Sequence, residues 1–533
     1  MNNAELIVQV LKKAGVTHGF GIPSGNVLPL MDAMRKHDLP FVLTAHEGSA
    51  GFAADVMGRM TGAPGLAIAT LGPGATNLAT GVGDAWLDRS PMIAITCNLN
   101  TDQLGRRIQM YIDHQQLFAP ITKASIVLRE GTVAETVAEA VQLSLTEPMG
   151  PVHLDLPEDV AISMARELVA EIPQPHPVAN PENTDVQAAL TILARAERPI
   201  AILGSNAMRM RDLGQLESFI DRHGIPFATT TMAKGLIDED HPLSVGCIER
   251  SKRQMQREFL RGADLIVGLG YDTIEVEYEA WIGDTPLLQI DIEKVDVVSS
   301  VQLKAEVTGD LDASIGALAA ADMASNDWQH SDVAAHRTAF QAALRPAVSN
   351  FAPHHVIDVV REVLPHDGIL TYDVGAHTHQ IASQWTAHGP RQCHITNGWS
   401  SMGFGLPAAI AAKIARPELS VVCLIGDGCF QMTCGELATA KRAEVTLPVV
   451  VLDDRWLGLI RVKQERRQLS IYGTALQEEE YRDPPEHYFG VPAIGARESD
   501  ALRAALMTAL QAQGPTVIEA VVDSSHYSET VFD

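Results

Sequence analysis

The sequence predicts an α/β protein of three domains, each built on a doubly wound parallel sheet with helices on both faces. Short, continuously apolar runs alternate with helix-length segments along the whole chain, which is typical of strands buried on both faces. The 533 residues also exceed what one hydrophobic core can organise. Two stretches without periodicity, 171–184 and 321–332, divide the chain, and we therefore expect domains at 1–170, 185–320 and 340–533.

The individual elements follow from local patterns. Asn2 or Asn3 can cap a first helix, which Gly15 ends. Apolar runs predict buried strands at "GLAIATLG", "PMIAITCN" and "GPVHLDLP" in the first domain, at "RPIAILGS", "ADLIVGLG" and "PLLQIDI" in the second, and at "GILTYDVG", "LSVVCLIGDG", "LPVVVLDD" and "PTVIEAVVD" in the third. Segments such as "GELATAKRAE" and "DALRAALMTALQAQG" predict helices between them. Ligands of such sheets bind beyond the carboxyl ends of the strands.

Composition excludes several classes of function. The net charge of −26 argues against general nucleic-acid binding, which needs basic surface. The six cysteines form no CxxC pair and no zinc spacing, so we expect reduced thiols. The N-terminus does not resemble a signal peptide, and no apolar run approaches the roughly 18 residues of a membrane span. We expect a cytoplasmic protein without a membrane partner.

The third domain contains a candidate metal site. A buried strand runs into Gly426, Asp427 and Gly428, and Asp454 follows 26 positions after Gly428, at the end of the next apolar strand. A lone acid in such a turn is more often a helix cap, but a parallel crossover returns the chain to the same edge, where both carboxylates can reach one ion. Oxygen ligands beside glycine amides suit Mg²⁺, with Ca²⁺ as a substitute, holding a phosphate. Asp453 is expected to cap the turn or to support the ligands.

These residues also carry a family resemblance. The stretches "GDGCFQMTCGELATAKR", "NGWSSMGFGLPAAIAAKIARP", "LGPGATNLATGVGDAWLDRSPMIAIT" and "GPVHLDLPEDV" resemble thiamine diphosphate enzymes of the acetolactate synthase and pyruvate decarboxylase-like superfamily. The resemblance covers essentially the whole chain and is greatest to the acetolactate synthase large subunit. It implies a thiamine diphosphate-binding fold with an N-terminal pyrimidine-binding domain, a central α/β domain and a C-terminal diphosphate-binding domain.

The resemblance implies a set of site residues. Asp427 and Asp454 would bind Mg²⁺ through their side chains and Trp456 through its carbonyl oxygen. Glu47, in "AHEGSAG", matches the family's catalytic glutamate, which hydrogen-bonds N1′ of the cofactor's pyrimidine. The remaining residues at cofactor-binding positions are Pro23, Gly25, Asn77, Val374, Gly375, Ala376, His377, Thr378, Ser400, Met402, Gly426, Gly428, Cys429, Leu457 and Gly458. Judged by local pattern alone, His377 would be an ordinary surface histidine and Met402 a core residue.

The sequence departs from the acetolactate synthases at several positions. Asp454 stands where the family has asparagine, and Lys463 stands where it has a tryptophan that helps to choose the second 2-oxo acid. The central domain has Tyr271 and Asp272 where the family has an arginine, so bound FAD is less expected. Lys123 matches the family although the motif before it does not.

Lys463 belongs to a basic cluster in an acidic protein. This cluster is either a solvated helix face or a site that recognises an anionic group of the substrate. The candidate substrate-contacting residues are therefore Lys123, Arg461 and Lys463; the cluster also contains Arg455, Arg466 and Arg467.

The predicted function is a thiamine diphosphate- and Mg²⁺-dependent carboligase, which decarboxylates a 2-oxo acid and transfers the acyl anion to a second carbonyl compound. The alternative enzyme is a 2-oxo acid decarboxylase that releases an aldehyde. Small or uncharged residues at Gly25 and Thr70 resemble the carboligases. A nucleotide-binding oxidoreductase is disfavoured because no GxGxxG is complete, and a non-catalytic homologue is the third class. The resemblance also implies a homodimer or homotetramer with active sites between subunits.

Overall fold

The structure is a computed structural model that describes residues 1–322, 326–476 and 484–531. Part of the predicted linker 321–332 and parts of the predicted third domain lie outside the described residues. Three sheets lie at 19–157, 199–308 and 369–521, and each is surrounded by helices. The predicted fold class, three α/β units, is confirmed; the domain boundaries stay predictions. Within the described ranges, no helix is both long and apolar enough to span a membrane.

The first sheet contains six parallel strands in the order β2-β1-β3-β4-β6-β5. Its elements are α1 (Asn3–Lys13), β1 (Gly19–Gly21), α2 (Leu28–Lys36), β2 (Phe41–Leu43), α3 (Glu47–Thr61), β3 (Gly65–Thr70), α4 (Pro73–Leu87), β4 (Met92–Asn98), α5 (His114–Phe118), β5 (Ala124–Val127), α6 (Val133–Leu145), β6 (Pro151–Pro157) and α7 (Glu158–Ile162).

The predicted first helix is correct at both ends. The side chain of Asn2 accepts a hydrogen bond of 2.9 Å from the backbone N–H of Glu5, which caps α1. Gly15 follows the helix with a φ of +89°, a conformation that side-chain-bearing residues rarely adopt.

The second sheet is also six-stranded and parallel, in the order β12-β11-β10-β7-β8-β9. Its elements are α8 (Asn183–Leu193), β7 (Pro199–Leu203), α9 (Gly214–His223), β8 (Phe227–Thr229), β9 (Ser244–Cys247), α10 (Arg253–Arg261), β10 (Leu265–Leu269), β11 (Leu287–Asp291), β12 (Leu303–Thr308) and α11 (Leu311–Ala320). The helix α12 (His330–Ala343) leads to the third unit.

The third sheet has seven strands in the order β14-β13-β15-β16-β19-β18-β17, and only the pair β17 and β18 is antiparallel. Its elements are α13 (Pro353–Val363), β13 (Ile369–Tyr372), α14 (Ala376–Gln384), β14 (Cys393–His394), α15 (Gly405–Ala415), β15 (Val421–Gly426), α16 (Asp427–Thr433), α17 (Glu436–Arg442), β16 (Leu447–Asp453), α18 (Gly458–Arg466), β17 (His487–Tyr488), β18 (Val491–Ala496), α19 (Ser499–Ala509), β19 (Pro515–Val521) and α20 (Tyr527–Thr530).

The first and third units share one hydrophobic core between α3 and α15. Phe52 and Phe404 meet edge to face there, with ring centroids 5.7 Å apart. Within the first unit, glycines let α3 approach α4 closely: a Cβ on Gly51 would lie 2.7 Å from Cα of Gly81 in α4. The Phe52–Phe404 contact and the shared core hold α3 against α15 of the third unit of the same chain.

Candidate active site

A cavity of about 230 Å³ lies at the carboxyl edge of the third sheet, beyond β13, β15 and β16. This is the edge at which open parallel sheets bind ligands. The described residues that line it all belong to 374–527 and include predicted residues from four segments: Val374, Gly375, Ala376, His377, Ser400, Met402, Gly426, Asp427, Gly428, Cys429, Asp454, Trp456, Leu457 and Gly458.

Bare backbone forms one wall of the cavity. A Cβ on Gly426 would lie 2.5 Å from Cε1 of His377, and one on Gly428 would lie 2.8 Å from Cδ2 of Leu457. A side chain at position 426 would collide with the buried His377 ring, whereas one at position 428 would have to displace the end of the Leu457 side chain. The two glycines let a ligand approach the main chain between β15 and α16.

Three carboxylates converge beside this wall. Asp427 accepts hydrogen bonds from the backbone N–H groups of Gly428 (2.7 Å) and Arg455 (2.8 Å). Asp453 also accepts from the N–H of Arg455, at 3.2 Å. Asp427, which follows β15, thus binds the backbone of the turn that follows the neighbouring strand β16. The predicted capping role of Asp453 agrees with this contact.

Asp454 points along the same turn. Its Oδ1 accepts a hydrogen bond of 3.0 Å from the backbone N–H of Trp456, which holds the peptide of Trp456 at the cavity. The Trp456 ring lies under the guanidinium of Arg461, 4.3 Å from the ring centroid.

The three neighbouring carboxylates need a compensating positive charge to stay ionised together. Burial, together with the charges of Asp454 and Asp453, raises the pKa of Asp427 to about 9. Burial also raises the pKa of Asp454 to about 6. Asp453 is only 2% exposed. A divalent cation with oxygen ligands would stabilise all three in the ionised form.

His377 closes the cavity on the side of α14. Its ring is buried, and its Nε2 has no hydrogen-bond partner among the described residues. Burial lowers the pKa of His377 to about 4, so the imidazole is neutral at pH 7 and has one ring nitrogen free for a ligand. The surface histidine suggested by the local pattern is therefore a wrong interpretation.

Asp373 is a residue that sequence reasoning missed. It is fully buried, which raises the pKa of its carboxyl group. Its Oδ1 accepts from the backbone N–H of Val374 (2.7 Å) and Gly403 (3.1 Å), and its Oδ2 from that of Gly405 (2.8 Å). Asp373 thus ties the loop after β13 to the loop that carries Met402. An acid directly after an apolar strand was the available signal.

Three other predicted residues stabilise these loops. Thr378 donates its hydroxyl to the carbonyl oxygen of Asp373, and Cys429 donates its thiol to that of Val374, at 2.9 Å. Ser400 has a φ of +51° and donates to the carbonyl oxygen of Asn397 at 2.6 Å.

Glu47 lies at the carboxyl edge of the first sheet, as the first residue of α3. It is 7% exposed, and Nδ2 of Asn77 donates a hydrogen bond of 3.0 Å to its Oε2. Gly74 leaves room beside it: a Cβ there would be 3.4 Å from Oε1 of Glu47 and 2.8 Å from Cγ2 of Thr70. The predicted Pro23 and Gly25 follow β1, which lies between β2 and β3, so they share this edge.

Glu436 of α17 was also missed. Its carboxylate accepts hydrogen bonds from the backbone N–H groups of Ala45 (3.0 Å to each oxygen) and His46 (3.1 Å). The third unit of the chain thereby holds the turn that precedes Glu47. A glutamate in a helical sequence gives no signal for such a contact.

Lys123 is not brought together with the other candidates. It directly precedes β5, at the amino end of that strand, and its Nζ donates to the carbonyl oxygens of Thr146 (2.6 Å) and Pro148 (2.8 Å). Burial lowers the pKa of Lys123 to about 8. Its observed contacts are those of a residue that holds the loop before β6.

Arg461 and Lys463 lie on α18, which starts at the cavity. Arg461 pairs with Glu465 at 3.0 Å. Lys463 is half-buried and has no anionic partner in the part of the chain that the structure describes.

Comparison with known proteins identifies three matching family descriptions. Residues 1–117 match "Thiamine pyrophosphate enzyme, N-terminal TPP binding domain", residues 186–318 match the central domain of such enzymes, and residues 373–520 match their C-terminal TPP binding domain.

Similar proteins extend over nearly the full chain. A probable acetolactate synthase large subunit of Methanocaldococcus jannaschii is 30% identical over 98% of this chain and 92% of its own length. The acetolactate synthase isozyme 2 large subunit of Escherichia coli K12 is 29% identical over 98% of this chain and 96% of its own. The acetolactate synthase large subunit of Lactococcus lactis is 30% identical over 88% and 84%.

Proposed function

This chain belongs to the thiamine pyrophosphate enzyme family and is a thiamine diphosphate-dependent enzyme that acts on 2-oxo acids as a decarboxylating carboligase; from that premise, we propose which residues serve the reaction. The observation that carries the assignment is the convergence of three carboxylates, the buried Asp453 and the half-buried Asp427 and Asp454, at the glycine wall of the third-sheet cavity.

The cavity residues fit a diphosphate bound through Mg²⁺. Asp427 and Asp454 supply carboxylate oxygens, and Trp456 supplies its backbone carbonyl. The backbone at Gly426 and Gly428 is open to phosphate oxygens, and the free Nε2 of His377 offers a further polar contact. The raised pKa of Asp427, caused by burial and by the adjacent carboxylates, is the expected signature of a site whose compensating cation is a ligand.

Glu47 is the proposed catalytic residue. Bound thiamine diphosphate supplies a nucleophilic carbon and an electron sink for decarboxylation. The protein's contribution is to hold a proton between Oε1 of Glu47 and a ring nitrogen of the cofactor, while Asn77 fixes Oε2. Met402, which lines the cavity near Gly428, is proposed to support the cofactor sterically between its two ring systems.

We propose a homodimer as the minimal active unit. No described residue of the first unit lines the third-sheet cavity of the same chain. Glu47 lies instead at the edge of its own sheet, behind a turn bound by Glu436. A second copy, presenting its Glu47 to this cavity, would complete the site, and a homotetramer built from two such dimers is compatible with this arrangement.

The central sheet does not fit a flavin dinucleotide. The backbone N–H of Ser205, at the sheet edge where a dinucleotide phosphate would bind, donates instead to Glu275 at 2.9 Å. Asp291 ends β11, and Asp272 pairs with Arg89 at 2.6 Å beside it. The backbone and side chain of Ser205, which a phosphate group would use, are therefore already engaged by Glu275, and this supports a reaction without FAD.

Carboligation is favoured over release of an aldehyde. Aldehyde release requires an acid that protonates the acyl anion after decarboxylation. Thr70, Gly74 and Asn77, which lie beside Glu47, provide no such acid, and Nδ1 of the preceding His46 is engaged as the acceptor of the backbone N–H of Gly48. These residues therefore favour transfer to a carbonyl acceptor over release of an aldehyde.

Product analysis tests this assignment. The protein, saturated with thiamine diphosphate and Mg²⁺, is incubated with pyruvate alone and with a second 2-oxo acid or an aldehyde. We expect CO₂ release coupled to a 2-hydroxy ketone product and little free acetaldehyde. Stoichiometric acetaldehyde would instead establish the decarboxylase, and absence of CO₂ from every 2-oxo acid would overturn the assignment.

A further inference from the structure

A cluster of positive charge lies next to the cavity and spans two structural units. Lys463 and Arg467 belong to α18 and its C-terminal cap, whereas Arg250 follows β9 of the central sheet. The segment after β9 docks beside α18: Lys252 donates from its backbone N–H to the carbonyl oxygen of Thr530 (3.0 Å) and from its Nζ to that of Glu529 (2.6 Å), and α20 packs on α18 through Tyr527 and Val462. Burial and the charges of Arg250 and Arg467 lower the pKa of Lys463, which agrees with this packing. We call Arg250, Lys463 and Arg467 the cationic cluster. The sequence alone does not predict this cluster, because Arg250 precedes the other two residues by more than 200 positions.

The carboxylates nearest to the cluster are engaged elsewhere. Glu249 binds Nδ1 of His379 at 2.9 Å and accepts from the backbone N–H of Arg250. Glu465 pairs with Arg461 at 3.0 Å. Of the described carboxylates, none forms an ion pair with a member of the cluster. Three neighbouring cations without a paired anion repel one another, and this is unexpected in a chain with a net charge of −26.

The helix connects the cluster to the cavity. Leu459 and Ile460 line the cavity in the first turn of α18. Lys463 follows them by four and three positions, so it lies on the same face one turn further along. Arg467 follows Lys463 by another four positions. Within the cluster, Lys463 and Arg467 therefore continue outward along α18 from the residues that line the cavity, roughly 5–6 Å per step.

From this arrangement we propose that the cationic cluster binds a second anionic group of the substrate, so that one of the two 2-oxo acids carries a carboxylate, phosphonate or sulfonate at its far end. The inference rests on the proposed carboligase function and specifies its substrate class. A 2-oxo acid that reacts at the mouth of the cavity, beside the bound cofactor, would extend its far end along α18. There Lys463 supplies a point charge and the arginines supply planar, multidentate donors.

Matched substrates test the proposal. The holoenzyme is assayed for CO₂ release and product formation with 2-oxoglutarate against 2-oxopentanoate, 2-oxoadipate against 2-oxohexanoate, and 3-phosphonopyruvate against pyruvate. Each acid is supplied once as the only substrate and once as the acceptor beside pyruvate. We expect kcat/KM to favour at least one dianionic member over its partner by ~10-fold or more, and salt to reduce that preference.

Two variants locate the effect. Lys463→Gln and Arg250→Gln should each reduce the ratio of kcat/KM between dianionic and monoanionic partners by ~10-fold, mainly through KM. The control is Arg416→Gln, which removes the same charge at the opposite, amino end of β15; among the described residues, Arg416 forms an ion pair with Glu418. It should leave the ratio unchanged. Cofactor titration and thermal unfolding verify that each variant is folded.

The outcomes separate the inference from the function on which it rests. A wild-type enzyme that turns over monoanionic 2-oxo acids but prefers no dianionic partner would overturn the inference and leave the carboligase assignment intact. A preference that survives both substitutions would also overturn it. A wild-type enzyme that releases no CO₂ from any of the acids would overturn the assignment itself.

Discussion

Asn77 donates a hydrogen bond of 3.0 Å from its Nδ2 to Oε2 of Glu47, and both residues lie at the same edge of the first sheet. The contact leaves Oε1 as the oxygen available to a ligand. Because an amide N–H can only donate, it also favours a carboxylate oxygen, rather than a hydroxyl, at the Oε2 position. The two residues together define which atom of Glu47 can handle a proton.

Glu47→Gln tests this role. The amide has the same shape and can keep the contact with Asn77, but it cannot transfer a proton, so we expect kcat to fall by ~10²–10⁴-fold. Binding of thiamine diphosphate and Mg²⁺, followed by circular dichroism or fluorescence quenching, should persist. Glu217→Gln, on the exposed face of α9, is the matched control. Full activity of the Glu47 variant would contradict the proposed mechanism.

Asp454 gives a second prediction, about the metal. Asp454→Asn keeps a ligand oxygen while it removes one of three buried charges, so we expect the Mg²⁺ requirement for cofactor binding to change by less than ~3-fold. Asp454→Ala removes the ligand and should weaken apparent Mg²⁺ affinity by ~10-fold or more. Titration of Mg²⁺ at fixed thiamine diphosphate, read by tryptophan fluorescence, measures both. Equal behaviour of the two variants would exclude Asp454 as a ligand.

Local sequence predicts the third-sheet cavity because its parts are contiguous. In β15 and β16, an apolar strand, a tight turn and an acid follow one another directly, and parallel pairing then places Asp427 and Asp454 at one edge. The short strands β1 and β2, with three residues each, carry too little periodicity to be predicted from the sequence.

Contacts between distant segments are beyond such reasoning. Glu436 reaches the backbone of Ala45 across 391 positions, and nothing in the pattern of either segment specifies the other. The same holds for Arg250 and Lys463: the segment after β9 reaches α20 through Lys252, and α20 packs on α18. Lys123 illustrates the opposite case. Its sequence position matches the family, but it lies at the amino end of β5, away from the carboxyl edge of the first sheet, where Glu47 lies.

The proposed division of the site between two chains can be tested by complementation. Glu47→Gln and Asp427→Ala should each be inactive alone. In a mixed dimer with sites between subunits, one site has both defects and the other has none. Co-expression with random pairing should therefore restore roughly a quarter of wild-type activity. Two affinity tags isolate the mixed dimer, whose activity should approach roughly half of the wild-type value.

The contradicting outcome is equally clear. If Glu47 and Asp427 of one chain served the same site, every site of the mixed dimer would have one defect, and its activity would equal that of the parent variants. Coexpressed wild-type chains with both tags control for effects of purification.

The last prediction concerns Arg59, which joins the first and third units. Its guanidinium binds Asp55, lies 3.0 Å from Asp88 and donates to the carbonyl oxygen of Ile395 at 2.8 Å. Burial raises the pKa of Asp88, an effect that the charge of Arg59 opposes. Arg59→Met would leave these buried carboxylates without their cation and should lower stability by about 3–5 kcal/mol at pH 7.

The effect of pH on this variant has a defined sign. Without Arg59, the pKa of Asp88 in the folded protein rises further above its unfolded value, so the folded state binds more protons as the pH falls. The stability deficit of Arg59→Met relative to wild type should therefore be largest at pH 7 and shrink toward pH 5. Adding Asp88→Asn should reproduce part of this recovery at pH 7, because it removes one of the uncompensated charges. Thermal unfolding of the two variants and of wild type at both pH values measures the effect. The guanidinium of Arg59 also lies 5.6 Å from the ring centroid of Phe404. A stability deficit that grows on acidification would show that Arg59 acts through this packing rather than through its charge.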